Sequence, residues 1–398
     1  MLIRLKFSVK KLRRLKCLLY FCARNQMKIA MLIKFAVKNF RGFAERIEWD
    51  LSSPNNYTWS KDVISDGIIK NGIIYGPNGA GKTNFSLALF DIINHLTNLK
   101  ARIIDYQQNY VYVGNPGSGV HFEYTFKFGK QIIEYQYIKD AHAVLKQERL
   151  TVDGVDAFNR NNSTFYLDEK QFPINPSAKR DLRDNSNNIS IVNYLLNAYP
   201  LSKDHYLIKL SDFVNSMLWF RSVQGNTFMG LETTPTFLDE FIIKNNLVED
   251  FQKFLKEISN QDFSFVKPQV NDKALVCKYK KGTIRFDLIA STGTHSLRLL
   301  YYWHKKMDRT SFVFIDEFDA FYHFKLAFEV CKLLFNLKCQ VFTSSHNTYL
   351  MTNDLLRPDC NFILQNNKIK PLQACTEKEL RFGHNIEKIY KAGAFHVE

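Results

Sequence analysis

No apolar run in this 398-residue chain approaches the roughly 20 residues that a membrane-spanning helix requires, so no membrane partner is expected. None of the seven cysteines (Cys17, Cys22, Cys277, Cys331, Cys339, Cys360, Cys375) belongs to a C-x-x-C pair. Their number is odd and their neighbours are apolar, which argues for buried, reduced thiols in a cytoplasmic protein. There is no internal repeat and no coiled-coil heptad pattern. Glycine is scarce at 17 residues, against 34 phenylalanines, so the places where glycines cluster carry weight. Hydrophobic residues make up 45%, enough for a sizeable core in one large domain or two to three ordinary ones.

Acidic residues are missing from one end. Residues 1–26 hold Arg4, Lys6, Lys10, Lys11, Arg13, Arg14, Lys16 and Arg24, which supply +8 of the net +15 and leave +7 for the other 372 residues. Three readings fit this basic extension: an arm for membranes or nucleic acid, a weak signal peptide, or the product of too early a start codon. The last is favoured, because Met27 and Met31 follow closely and Met31–Arg41 reads as a natural first strand. The mildly basic body permits nucleic-acid contact without demanding it.

Four segments carry chemistry. The first is Gly76-Pro77-Asn78-Gly79-Ala80-Gly81-Lys82-Thr83, which fits G-x-x-x-x-G-K-[ST] without a mismatch. It follows the apolar strand 72–75 and opens the amphipathic run 84–99 that begins at Asn84. A glycine loop there turns backbone N–H groups inward around a phosphate. Lys82 can then reach the β- and γ-phosphates, and the Thr83 hydroxyl can hold Mg²⁺. A chance glycine turn would not place strand, loop and helix in this order. The second segment is Phe312-Val-Phe-Ile-Asp316-Glu317, a buried strand ending in two carboxylates, where α/β sheets bind ligands. Asp316 suits Mg²⁺ through a water and Glu317 suits polarisation of the attacking water, a general-base role. Asp319 follows, as a further site residue, as the N-cap of the helix from Phe324, or as both. The third is Gln340–Asn347, a strand running into small polar residues and His346, a histidine placed to sense the γ-phosphate. The fourth is Ser291-Thr292-Gly293-Thr294 before a helix, either an ordinary N-cap turn or an anion site facing the nucleotide of another copy.

Strands and helices alternate after residue 271, and hairpins are expected at 31–51 and 122–138. The division expected is 27–154 for the N-terminal part of the head, 155–270 for a mostly helical insertion beginning in a polar Asn/Ser-rich stretch, and 271–398 for the C-terminal part. The fold class expected is α/β with a mainly parallel sheet and antiparallel hairpins.

In this order the four segments resemble the ABC-type ATPases of the SMC/RecF/OLD branch of P-loop NTPases. Gly76–Thr83 matches Walker A, Asp316 and Glu317 match Walker B with its catalytic glutamate, Asp319 matches the D-loop and His346 the switch histidine. Ser291 and Gly293 match two positions of the ABC signature, although Ser-Thr-Gly-Thr departs from Ser-Gly-Gly-Gln. Val37-Lys-Asn-Phe-Arg41 resembles the branch's entry strand, and Tyr390-Lys-Ala-Gly393-Ala-Phe395 resembles the tail of RloA/AbiL-like ATP-binding proteins of phage defence. No Q-loop glutamine is assigned; Gln107 and Gln108 fit poorly. The resemblance implies ATP and Mg²⁺ as cofactors, hydrolysis by an AAA-family, ABC-type head, and a homodimer or larger homo-oligomer through composite ATP sites. It further implies a cytoplasmic role in antiviral abortive infection with a separate effector, a nuclease or a toxin, because nothing in the chain resembles a nuclease centre. The rival readings are a DNA-repair ATPase clamping DNA and a nucleotide-gated scaffold that holds a toxin with little turnover.

Overall fold

The computed structural model describes residues 30–99, 109–185, 188–223, 225–233, 237–269 and 271–397. The basic extension, Cys17, Cys22, Gln107 and Gln108 lie outside the described residues.

The chain begins with β1 (Ala30–Lys38) and β2 (Ile47–Asp50), paired antiparallel as their alternation predicts. In the turn between them Phe40 and Phe43 exchange backbone hydrogen bonds. The short hairpin β3 (Ile64–Ser65) and β4 (Ile68–Ile69) leads to β5 (Asn71–Tyr75), buried along its whole length. The helical run that follows divides at the fully buried Phe90 into α1 (Lys82–Leu89) and α2 (Asp91–Leu96). Next come β6 (Val120–Phe128), β7 (Gln131–Lys139), β8 (Leu145–Val152), β9 (Val155–Arg160) and β10 (Phe165–Leu167). With β1 and β2 they form a seven-stranded antiparallel sheet in the order β10-β9-β8-β7-β6-β1-β2.

The described residues of 155–270 carry five helices: α3 (Pro176–Asp184), α4 (Ile191–Ala198), α5 (Tyr206–Asn215), α6 (Leu238–Lys244) and α7 (Val248–Ser259). The stretch is not purely helical. Its polar start forms β9 and β10, and β11 (Leu218–Arg221) and β12 (Thr227–Met229) follow further on. Phe158 and Arg160 turn inward from β9, and Arg160 is buried by bonding Glu148 and the carbonyls of Leu182 and Ile189. A buried arginine with these partners supports a strand that composition alone disguises as loop.

The remaining elements are the hairpin β13 (Val276–Tyr279) and β14 (Gly282–Arg285), then α8 (Thr292–His304), β15 (Phe312–Asp316), α9 (Phe324–Phe335), β16 (Gln340–Ser345), β17 (Asn361–Gln365), β18 (Lys368–Pro371) and α10 (Ile386–Lys391). The core sheet runs β12-β11-β15-β16-β5-β17-β18; its five inner strands are parallel and the two edge strands antiparallel. Strands buried on both faces read as continuous apolar runs, as Phe312–Ile315 does.

The two sheets are joined by aromatic packing. Trp49 of β2 meets Phe85 of α1 at 5.6 Å, Phe342 of β16 at 4.6 Å and Phe362 of β17 at 5.5 Å between ring centroids. Gln340 adds a polar clamp: its Oε1 accepts from the Leu32 N–H at 2.7 Å, and its Nε2 donates to the Leu32 carbonyl at 3.0 Å and the Ile69 carbonyl at 3.2 Å. Leu32 lies at an irregularity in the pairing of β1 with β6, so the glutamine satisfies backbone groups that the ladder leaves over. Cys277, Cys331, Cys339, Cys360 and Cys375 are free and buried, as expected.

Candidate functional site

The parallel pairing of β15, β16 and β5 brings three strand ends together, with Ser345 opposite Tyr75 and Ile315 opposite Thr343. The glycine loop leaves the end of β5. Gly76 passes so close to β17 that a Cβ there would stand 2.4 Å from the Leu364 carbonyl. Pro77, Asn78 and Gly79 form an exposed crest, and the Ala80 N–H donates to the Pro77 carbonyl at 3.2 Å. Gly81 has φ +96°, and any Cβ there would strike the Phe43 ring at 2.9 Å. That conformation suits glycine and starts α1 at Lys82.

Lys82 is buried, and its Nζ donates to the Gly76 carbonyl at 2.9 Å and the Pro77 carbonyl at 3.2 Å, with His346 Nε2 at 2.9 Å. Burial lowers the Lys82 pKa, opposed by Asp316 and Glu317. Burial and the Lys82 charge lower that of His346, which favours a neutral imidazole accepting from the ammonium. Lys82 of the glycine loop and His346, 264 residues apart, therefore meet.

Thr83 Oγ1 donates to Asp316 Oδ2 at 2.8 Å, across 233 residues of sequence. Asp316 is fully buried; its other oxygen accepts from Ser344 Oγ at 2.7 Å. Burial raises its pKa, while the hydrogen bonds from Ser344 and Thr83 and the charge of Arg221 oppose the rise. The same Ser344 oxygen accepts the Glu317 N–H at 2.8 Å. Glu317 itself has φ +49°, a left-handed conformation that costs a non-glycine residue on the order of 1 kcal/mol and that collects at functional sites.

Of the two readings left open for Asp319, the structure does not show the helix cap. The N-cap of α9 is His323, without a side-chain bond, and Asp319 instead accepts from Ser345 Oγ at 2.7 Å at the end of β16. Ser291 caps α8, accepting from the Thr294 N–H at 3.2 Å, which is the ordinary N-cap arrangement. Gly293 lies against the residues after Asp319: a Cβ would come within 2.9 Å of the Phe321 carbonyl. Among the described residues no hydrogen bond joins Ser291 or Gly293 to the glycine loop of the same chain. Asn84 Oδ1 accepts from Arg41 Nη1 at 3.2 Å, tying the first turn of α1 to the turn after β1.

Three residues escaped the sequence reading. Ser344 joins Asp316 to Glu317, and nothing but its place at a strand end could have marked it. Arg221, at the end of β11, holds Nη2 3.0 Å from Glu317 Oε2 and Nε 3.3 Å from Asp316 Oδ2. Ser222 Oγ donates to the Glu317 carbonyl at 2.8 Å. The pairing of β11 with β15, which sets Arg221 opposite Asp316, has no local signal in the sequence.

The residues present fit Mg²⁺ and a nucleotide triphosphate. A hydroxyl and a buried carboxylate in contact offer two hard oxygen donors, and Mg²⁺ characteristically draws its remaining ligands from water and phosphate. Among the described residues there is no cluster of three or more His, Cys, Asp or Glu that could hold a metal, so no all-protein cage competes with this pair.

Residues 73–352 match the model of a protein family described as "AAA domain, putative AbiEii toxin, Type IV TA system". The chain belongs to this AAA-domain family. No curated protein matches it. Among solved structures, this AAA-domain protein is similar to the SMC head domain from Thermotoga maritima, at 15% identity and a TM-score of 0.42, covering 85% of this chain and 98% of that one. The Smc head domain from Pyrococcus furiosus, solved bound to the C-terminal domain of ScpA, gives 13% identity, a TM-score of 0.41 and coverage of 86% and 96%. The recombination mediator protein RecF gives 14% identity, a TM-score of 0.39 and coverage of 87% and 99%. No helix among the described residues is long and apolar enough to cross a membrane.

Proposed function

We propose that this AAA-domain protein is a Mg²⁺-dependent ATP hydrolase that works in the cytoplasm as the sensor or regulatory subunit of a prokaryotic antiphage system, controlling a separate nuclease or toxin through ATP-dependent dimerisation. The observation that carries the enzymatic part is the Thr83–Asp316 contact with Glu317 one residue further on. A phosphate-loop hydroxyl, a buried carboxylate and a second, partly exposed carboxylate then surround one point at the ends of three parallel strands.

In this reading Lys82 and the N–H groups of residues 76–84 hold the phosphates, and Thr83 and Asp316 hold the metal. Bound Mg²⁺ would neutralise phosphate charge and polarise the γ-phosphoryl group. Glu317 orients the attacking water and accepts its proton, and His346 registers whether the γ-phosphate is present. Asp319 supports the strand end beside His346. Ser291 and Gly293 cap the nucleotide of the opposite protomer. The family description, which names a toxin and a toxin–antitoxin system, supports a defence role.

Glu317→Gln tests the mechanism. The variant should bind ATP, hydrolyse it at least about a hundredfold more slowly, as loss of a general base implies, and accumulate as a dimer in ATP. Turnover and light scattering after size exclusion read these outcomes. A monomeric variant with ordinary turnover would sink the mechanism. Co-expression with the products of neighbouring reading frames, followed by phage challenge, tests the defence role; a site-intact strain no more resistant than one carrying Glu317→Gln would reject it.

A further inference from the structure

The contacts of Arg221 go beyond what an arginine at a strand end needs. Its guanidinium faces two carboxylates: Nη2 donates to Glu317 Oε2 at 3.0 Å, and Nε stands 3.3 Å from Asp316 Oδ2 as an ion pair without a hydrogen bond. Asp316 Oδ2 is the same oxygen that receives the Thr83 hydroxyl. The next residue, Ser222, fixes the Glu317 backbone carbonyl. Two consecutive residues of the insertion thus hold the side chain and the main chain of the residue assigned to water activation. Arg221 is 21% exposed at its side chain and Asp316 is fully enclosed, so the attraction is weakly screened.

We propose that Arg221 is a positioning residue that competes with the divalent cation for Asp316, and that its release from Asp316 is what hands Glu317 over to the substrate water. The inference rests on the functional reading above. A cation at Thr83 and Asp316 takes the charge that the guanidinium now neutralises, and two positive groups cannot share one buried oxygen without repulsion. Arg221 therefore makes metal-dependent nucleotide binding weaker than the carboxylate alone would allow. In return, arrival of the metal is felt directly at β11, which belongs to the 155–270 insertion.

The test is a titration of the fluorescent nucleotide mant-ATP onto wild-type protein, Arg221→Gln and Arg221→Lys, each in Mg²⁺ and in EDTA. Arg221→Gln should tighten binding about tenfold in Mg²⁺, the size of one charge-assisted contact, and leave binding in EDTA unchanged. Arg221→Lys keeps the charge but cannot span both carboxylates, so it should move the same way by less. If Arg221→Gln does not fold, the lysine variant decides alone. Equal affinities in Mg²⁺, or a loss in both conditions, would make Arg221 a structural residue or a phosphate contact and overturn the inference. Wild-type protein that binds no nucleotide in either condition would overturn the functional reading and this inference with it.

Discussion

The Lys82 ammonium finds its partners within the site: two carbonyls of its own loop and the imidazole of His346. A triphosphate would offer that ammonium a charged acceptor in place of neutral ones, and charge-assisted hydrogen bonds are the stronger kind. Lys82→Ala should weaken ATP binding on the order of 10- to 100-fold, measured by the same nucleotide titration. A change below about twofold would remove Lys82 from the phosphate site. Glu317 makes a second point at this scale. Its left-handed backbone is fixed by Ser344 on one side and Ser222 on the other, so its conformation is imposed by neighbours on β16 and after β11.

At the scale of elements, Gln340 links β1, β16 and the end of β4 through one side chain. Gln340→Leu keeps much of the volume but leaves the buried Leu32 N–H and C=O without their partner. Chemical denaturation should show a loss on the order of 3 kcal/mol, since each buried group left unsatisfied costs about 1–3 kcal/mol. Elements also show what the chain discloses by itself. The glycine loop, the Phe312–Ile315 run and the alternation of β1, β6 and β7 are local patterns, and each became the element expected. β9 and β10 were hidden because they lie in a stretch of polar composition, where the burial of Phe158 and Arg160 marks the strand. Arg221 was hidden for a different reason: its role depends on the pairing of β11 with β15, a strand distant in sequence. For Asp319 the sequence left a site residue and a helix cap open, because a carboxylate five residues before a helix looks the same whether it bonds the helix or, as here, the hydroxyl of Ser345.

The whole molecule carries a pH dependence of defined sign. Burial lowers the pKa of His95, His205, His304 and His346 from the ordinary 6.5. A histidine depressed in the folded state gains its proton only on unfolding when the pH falls below 6.5, so stability is complete above that value and declines beneath it. His95 should dominate, because its pKa is lowered furthest, with its Nε2 2.7 Å from the Tyr135 hydroxyl and its ring 4.1 Å from that of Tyr137. The melting temperature should fall between about pH 7.5 and about pH 5.5, and His95→Gln should flatten the decline. An unchanged slope in that variant would locate the effect elsewhere. Asp316 and Asp319, both raised above 3.8 by burial, act in the opposite sense at lower pH, because the folded state takes up their protons first.

The position of β5 in the core sheet has a consequence for how the molecule comes into being. Ile74, two residues before the glycine loop, pairs with Ser344 on one side and Phe362 on the other. At the roughly 5–20 residues per second of translation, the loop would leave the ribosome some 15–60 s before either neighbouring strand exists. During that interval the nascent chain carries a complete glycine motif with no sheet to hold it and neither Asp316 nor His346 to face it. The order of synthesis thus withholds a working nucleotide site until the chain is nearly finished.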